Sequence, residues 1–448
     1  MKVLLISTYD LGHQPFGLAS PAAWLRAAGH DVVCADLSVA KLPPEAVSEA
    51  GLVAFHLPMH TATRMSVPVI ERVRAINPTA RLCCFGLYAP LNEAYLRKLG
   101  VHTVLGGEIE SALTALASGA SSPALVSLDR LQFLTPDRTG LPPLAQYSHL
   151  RLNGEGVVSG YTEASRGCKH LCRHCPVVPV YQGAFRVVQA NVVLADIRAQ
   201  VAAGARHISF GDPDFFNGPT HAIRIVEAFH EEYPSLTYDA TIKIEHLRNH
   251  RALLPSLQRT GCLFVTSAVE SVDDDVLRKL DKGHTRADFV EVVGLFRELG
   301  LTLSPTFIPF TPWTTRAGYA ELLQTIAGLD LIENVSPVQL ALRLLIPAGS
   351  LLLELDEIRA VIGPFDDAAL LYRWSHPDPE VDALATQALK AVSAAQKRGT
   401  SRAGIFLELF NLLCGGGKFT ASPSAPIPYM DEPWYCCAEP TEEQLARV

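Results

Sequence analysis

Nine residues constrain this chain more than any others: Gly167-Cys168-Lys169-His170-Leu171-Cys172-Arg173-His174-Cys175. Three of the ten cysteines fall within eight positions here, with three residues between the first two and two between the last two. Thiolates are soft ligands that favour iron–sulfur clusters, zinc and copper(I). Structural zinc sites and ordinary clusters usually take four protein ligands, yet the next cysteine, Cys262, lies far along the chain. Two bland alternatives stand beside a cluster: a structural zinc knuckle and buried free thiols.

A cubane cluster on three thiolates keeps one iron for an outside ligand, and this spacing resembles that of the radical SAM superfamily. There S-adenosylmethionine (SAM) chelates the free iron through its methionyl amine and carboxylate. The run Val157 to Ser165 reads as a strand, and Ser165-Arg166-Gly167 as the turn that delivers the first ligand. The resemblance implies a 4Fe–4S cluster on Cys168, Cys172 and Cys175, SAM as co-substrate, and an electron donor such as a flavodoxin or ferredoxin. It further implies reductive cleavage to methionine and a 5′-deoxyadenosyl radical that abstracts hydrogen from a small-molecule substrate. The cofactor performs that chemistry while the protein positions it and excludes water.

Ahead of the motif, residues 1–119 alternate short apolar runs with helical patterns, the signature of a parallel sheet with crossover helices. Expected strands are Lys2–Ser7, Asp31–Asp36, Leu52–Leu57, Arg81–Gly86 and His102–Leu105. Expected helices are Leu18–Ala28, Met65–Ile76 and Leu91–Leu99. Ligands of such sheets sit outside the carboxyl ends of the strands. This order, with the Gly106-Gly107-Glu108-Ile109-Glu110 turn, resembles the cobalamin-binding domain that precedes many radical SAM cores. One type of that domain carries an Asp-x-His-x-x-Gly loop whose His ligates cobalt. Asp10, His13 and Gly17 depart from it by one residue in each gap, so His13 reads as an ordinary loop histidine. The alternative for the domain is a degenerate Rossmann-like unit that binds nothing. Cys34, Cys83 and Cys84 fall in apolar runs and read as small core residues.

Residues 120–158 are dense in turn formers and read as a linker. Residues 159–355 then repeat strand and helix. His207–Phe210 is a short buried strand with Gly211 and Asp212 at its carboxyl end. The family places a Gly-Gly-Glu-type turn there to hold the methionyl amine, so the resemblance makes Gly211 and Asp212 SAM contacts; the plain alternative is a solvent-facing Asp-Pro turn. Further expected strands are Leu236–Thr241, Cys262–Ser267, Leu301–Phe307 and Val338–Leu345. Expected helices are Glu245–Arg259, Asp273–Leu280, Phe289–Leu299 and Tyr319–Leu329. Ala268-Val269-Glu270-Ser271 is similar to the family's Gly-Ile-Glu-Ser turn, which implies SAM contacts for Glu270 and Ser271. Arg343 either holds a carboxylate of SAM or substrate or pairs with an acid of the protein. Cys262 reads as core.

Residues 356–448 form an appendage. Pro379–Lys397 is helical, Ile405–Leu413 is a buried helix or strand, and the prolines beyond exclude regular structure. The chain ends near Cys436-Cys437-Ala438-Glu439-Pro440. This pentapeptide resembles the tail of the CCAEP-tail radical SAM proteins, some of which carry selenocysteine at the second position. Vicinal thiols chelate soft atoms such as trivalent arsenic and form a strained, readily reduced disulfide. Cys436 and Cys437 are therefore candidate catalytic residues; otherwise they are idle thiols on a loose tail.

The sequence thus predicts an α/β protein: a Rossmann-like, cobalamin-binding-like parallel sheet, a partial (β/α)6 barrel and an irregular C-terminal tail. Domains are expected at 1–119, 120–158, 159–355 and 356–448. Net charge of −8 and pI near 6.0 give no reason to expect nucleic acid. No apolar run approaches a membrane span, and cluster-like cysteine usage fits a reduced cytoplasm. The expected activity is radical chemistry on a small substrate, in one form cobalamin-assisted methyl transfer. Two others are carbon transfer from SAM to arsenic or selenium on the tail thiols, and a non-catalytic iron–sulfur redox or metal-binding protein.

Overall fold

The computed structural model describes residues 1–120, 123–414 and 427–432. Cys436 and Cys437 lie outside them. Two parallel sheets dominate. The first contains β1 (Lys2–Ser7), β2 (Asp31–Asp36), β3 (Leu52–His56), β4 (Arg81–Phe85), β5 (Thr103–Gly107) and β6 (Val126–Ser127), in the order β2-β1-β3-β4-β5-β6. Alternate residues of its strands enter two different cores. Leu4, Ile6 and Phe55 pack on one face, and Val3, Leu5 and Phe85 on the other. A sheet covered on both faces needs near-continuous apolar strands, which is why these segments stand out in the sequence. Cys34, Cys83 and Cys84 are buried in them.

The second sheet is a curled half-barrel. A hairpin of β7 (His149–Leu152) and β8 (Glu155–Thr162) leads into it. The small antiparallel pair β9 (Ser165–Gly167) and β10 (Phe185–Val187) brackets the cysteine loop. Then β8, β11 (His207–Phe210), β12 (Thr237–Thr241), β13 (Cys262–Glu270) and β14 (Thr302–Phe307) run parallel in that order. Helices cover the outside and are defined by local chemistry. Arg286–Leu299 begins at a Thr285/Asp288 capping box and ends at Gly300 in the left-handed region. It buries Phe289, Val292, Val293 and Phe296, worth roughly 1.5–3 kcal/mol each.

Four expectations are corrected here. Val338–Leu345 is not a strand; Pro337 opens a 3-10 turn, Pro337–Leu340, and the sixth barrel position keeps only a parallel bridge between Phe310 and Arg343. The helix expected over Glu245–Arg259 is broken into Ile244–Asn249 and Leu254–Arg259, with Pro255 seated in the first turn of the second. The expected linker is not merely a surface strap. It contributes β6 to the first sheet and the β7–β8 hairpin to the second, and its Arg138 forms a bidentate pair with buried Asp196 while reaching Gln14. Beyond the appendage hairpin β15 (Ile362–Asp366) and β16 (Leu371–Trp374), prolines do not abolish order. A two-residue strand, β17 (Tyr429–Met430), pairs with β7 at the sheet edge, where proline neighbours are tolerated. Among the described residues no helix is long and apolar enough to cross a membrane.

Candidate functional site

A cavity of about 690 Å³ lies where the carboxyl ends of both sheets face each other. Cys168, Cys172 and Cys175 line it, with Gly211, Asp212 and Glu270 from the barrel and Asp10, His13 and His56 from the first sheet. Three elements pin the cysteine loop. Gly167 has φ +74°, and a Cβ there would lie 2.3 Å from the Tyr181 ring and 2.6 Å from the Ala184 carbonyl, so only glycine allows the turn into Cys168. The Arg173 backbone N–H donates to the Leu280 carbonyl, and its guanidinium donates to the carbonyls of Arg278 and Lys279 at the end of helix Asp274–Leu280. Arg166, two residues before Cys168, reaches across to the first sheet. Its Nη1 sits 2.7 Å from Glu110 and 3.3 Å from Glu108, and its Nε donates to Glu163 at 2.9 Å.

Charge within the cavity is arranged around the thiols. Burial, then nearby Asp214, pushes the Cys168 thiol up to about 12. The Lys243 ammonium donates to Cys172 Sγ at 3.5 Å. Glu270 ends β13 with φ +70°, beside a register shift against β14. Burial works to raise its pKa, but Lys282 at 3.3 Å and His174 at 3.1 Å outweigh it and hold the carboxyl at about 2. Asp212 accepts from the Ser165 hydroxyl and the Ala164 N–H, yet burial still pushes it up to about 7. A Cβ on Gly211 would lie 1.9 Å from the Tyr161 hydroxyl, so the phenol occupies space that glycine alone leaves.

Three closely tethered thiols, two buried and Cys175 half-buried, opening on one cavity suit a cluster with an outside ligand, and Lys243 offsets the charge such a centre brings. Two residues that line the cavity from the first sheet, His56 and Glu110, and one from the barrel, Thr306, each hold a buried polar atom without a hydrogen-bond partner from the protein. His13 stacks on Tyr161 at 4.6 Å, and burial lowers its pKa to about 4, so the imidazole is neutral. Gly17 packs directly on the His56 ring.

The structure therefore gathers Cys168, Cys172, Cys175, Gly211, Asp212 and Glu270 around one space. Two expected contacts fall outside its lining. Ser271 Oγ accepts from the Asp273 N–H and shapes the start of the following helix. Arg343 pairs with Asp382 at 2.7 Å, donates to the Trp374 carbonyl and lies over the Trp374 ring, so of its two readings the internal pair is the one observed. Sequence reasoning missed Lys243, His174, Lys282 and the Arg166 bridge. His174 and Arg166 lay within quoted motifs, but their partners are distant in sequence.

Residues 162–326 match the family model of the Radical SAM superfamily. These residues therefore carry a radical SAM domain. The first sheet and half-barrel together are the architecture of cobalamin-binding radical SAM structures. TsrM from Kitasatospora setae, a radical SAM methyltransferase, superposes with a TM-score of 0.64 at 16% identity, covering 88% of this chain and 89% of that one. The cobalamin-dependent radical SAM enzyme OxsB superposes with a TM-score of 0.65 at 14% identity, covering 88% and 67%. In sequence, the chain is similar to the bacteriochlorophyllide d C-12(1)-methyltransferase of Chlorobaculum tepidum, 26% identical over 43% of this chain and 42% of that protein. It is also similar to a tRNA-2-methylthio-N(6)-dimethylallyladenosine synthase of Chlorobium luteolum, 27% identical over 37% and 39%. The chain thus spans about two fifths of these relatives. A longer match, 22% identical over 74% of this chain and 68% of the relative, joins it to the hopanoid C-3 methylase of Methylococcus capsulatus.

Proposed function

We propose that the protein is a cobalamin-assisted radical SAM transferase acting on a small molecule, with a methyl group the leading cargo. The observation that carries the reading is one cavity walled on one side by the cysteine trio, Asp212 and Glu270, and on the other by the loops at the carboxyl ends of the first sheet. When bound, the cluster supplies an electron to cleave SAM, and cobalamin supplies a carrier for a methyl group. The chain's residues do the rest. Cys168, Cys172 and Cys175 hold the cluster, and Lys243 neutralises charge at Cys172. Glu270, kept ionised by Lys282 and His174, offers a carboxylate to the methionyl ammonium. Gly211 and Asp212 form the neighbouring wall. In this reading residues 1–119 hold cobalamin, 120–158 join the halves, 159–355 hold SAM and cluster, and 396–405 with Tyr429–Glu432 of the appendage add to the cavity wall. A flavodoxin or ferredoxin in a reduced cytoplasm supplies electrons.

The test is anaerobic reconstitution followed by SAM and dithionite, with 5′-deoxyadenosine, S-adenosylhomocysteine and cobalamin absorbance all monitored. SAM turnover with bound cobalamin is the expected result. A cluster that assembles but leaves SAM intact points to a redox protein and defeats the proposal.

A second reading, carbon transfer to arsenic or selenium on Cys436 and Cys437, is favoured by one feature. Tyr429–Glu432 line the cavity, and the Tyr9 hydroxyl donates to Glu432. Cys436 and Cys437, outside the described residues, follow Glu432 in the sequence by four and five positions. Arsenite-dependent SAM consumption, lost in a Cys436→Ala/Cys437→Ala variant, is its expected signature; equal consumption by wild type and variant refutes it.

A further inference from the structure

Behind the cysteine loop, outside the cavity lining, three metal-ligating side chains meet from three separate elements. His170 stands between Cys168 and Cys172. Asp214 follows β11 and caps the short turn Phe215–Asn217. His246 lies in helix Ile244–Asn249, after β12. His170 Nε2 is 3.1 Å from His246 Nε2 and 3.6 Å from Asp214 Oδ2, and one ligand atom from each residue falls within 4.8 Å of the others.

The hydrogen-bond account of this cluster does not close. Asp214 is 0% exposed; its Oδ1 accepts from the Phe216 N–H at 3.1 Å, but Oδ2 has no hydrogen-bond partner. His246 is 3% exposed, and its Nδ1 lies 2.6 Å from that same Oδ2 without a hydrogen bond forming between them. Asp214 Oδ2 and His246 Nδ1 are in ion-pair contact but lack a hydrogen bond, and a cation bound at Oδ2 supplies the partner that this buried carboxylate oxygen is missing. Two imidazoles and one carboxylate suit zinc or iron(II). With bonds of about 2.0–2.2 Å, ligand atoms stand roughly 3–3.5 Å apart, close to the 3.1 Å and 3.6 Å from His170 Nε2 to His246 Nε2 and Asp214 Oδ2; the 2.6 Å contact is made by the other ring nitrogen of His246 and is not a ligand spacing. Behind His170, Glu245 Oε2 is 3.4 Å from Nδ1, where a carboxylate orients a ligating ring.

We propose that His170, Asp214 and His246 form a mononuclear divalent-metal site of the zinc class, separate from the cysteine trio. Its ion ties the loop carrying Cys168 and Cys172 to the ends of two barrel strands. None of its three residues lines the cavity, and the proposal does not rest on SAM turnover or on cobalamin binding.

The test uses the full chain with its cluster loaded anaerobically. One equivalent of Zn²⁺ is added, the protein is desalted, and zinc and iron are counted by mass spectrometry. Affinity follows from competition with a chromophoric chelator. Asp214→Asn keeps the oxygen that caps Phe216, and His170→Ala alters a partly exposed loop position; circular dichroism checks both folds. The expected result is about one tightly held zinc in wild type and affinity at least tenfold weaker in each variant, with Zn²⁺ raising the melting temperature of wild type alone. Zinc retained equally by wild type and both variants would place it on thiols, and wild type that retains none would leave a plain Asp–His–His contact. Either result overturns the proposal.

Discussion

Replacing Arg166 by Met tests how the two sheets are joined. The guanidinium is 12% exposed and contacts Glu108, Glu110 and Glu163, of which the first two are 0% and 1% exposed. It also lies over the Phe133 ring at 4.7 Å. Methionine keeps much of the apolar stem but removes the only cation these carboxylates are seen to share among the described contacts. Breaking a buried pair from one side costs about 3–5 kcal/mol, because the remaining charge stays buried. The penalty should depend on pH, and its sign follows from Glu108. Burial already raises that carboxyl above its ordinary value, and Arg166 opposes the rise. Without Arg166 the folded pKa climbs further above the unfolded one. Stabilisation by the protonated form is then present below the unfolded pKa and lost as pH rises through the folded value. Glu163, pushed to about 7 chiefly by burial, acts in the same sense. Urea denaturation at pH 8 should show the variant about 3–5 kcal/mol less stable, with the deficit at least halved near pH 5.5. A deficit below about 0.5 kcal/mol at pH 8, the level of an ordinary surface change, would refute the reasoning. So would a deficit independent of pH.

Gly211→Ala should lower stability by about 1–3 kcal/mol through overpacking, and Tyr161→Phe in the same chain should recover part of it; additive losses would contradict the contact. Glu270→Gln should cost most near neutral pH. Its folded pKa of about 2 lies below the ordinary carboxylate value, so the stabilisation it supplies is present above the unfolded pKa and fades as pH falls toward 2. The same variant should weaken SAM binding about tenfold or more by equilibrium dialysis, whereas Arg343→Lys should leave SAM affinity within about twofold while losing stability at the Asp382 pair. Cys168→Ala should abolish cluster assembly, read as iron per chain; undiminished iron would remove that residue from the ligand set.

Much of this architecture is legible in the chain because buried parallel strands write themselves as unbroken apolar runs. Five of the six strands of the first sheet fall within a residue or two of their expected bounds for that reason, and the short β6 was not expected. The same criterion misleads at Val338–Leu345, where apolar residues are buried by a 3-10 turn and irregular chain, and Pro337 was the available warning. Pro255 likewise marks the break in a stretch whose spacing alone read as one helix. The cysteine trio and Glu270 were found through local motifs. Lys243, Lys282 and the Arg166 bridge were not, because each acquires meaning only from a partner on another element. Arg343 carries two readings in the sequence, a ligand carboxylate or an acid of the protein, and only a tertiary neighbour, Asp382, reveals the pairing that is present.

Arg166 also has a mechanical consequence. One guanidinium grips the 106–110 loop of the first sheet while its own backbone sits two peptide links from Cys168. Anything that displaces that loop, a tightly seated ligand above all, tugs on the first thiol without touching it. The halves of the molecule are thereby geared together at this guanidinium, as they are at Arg138.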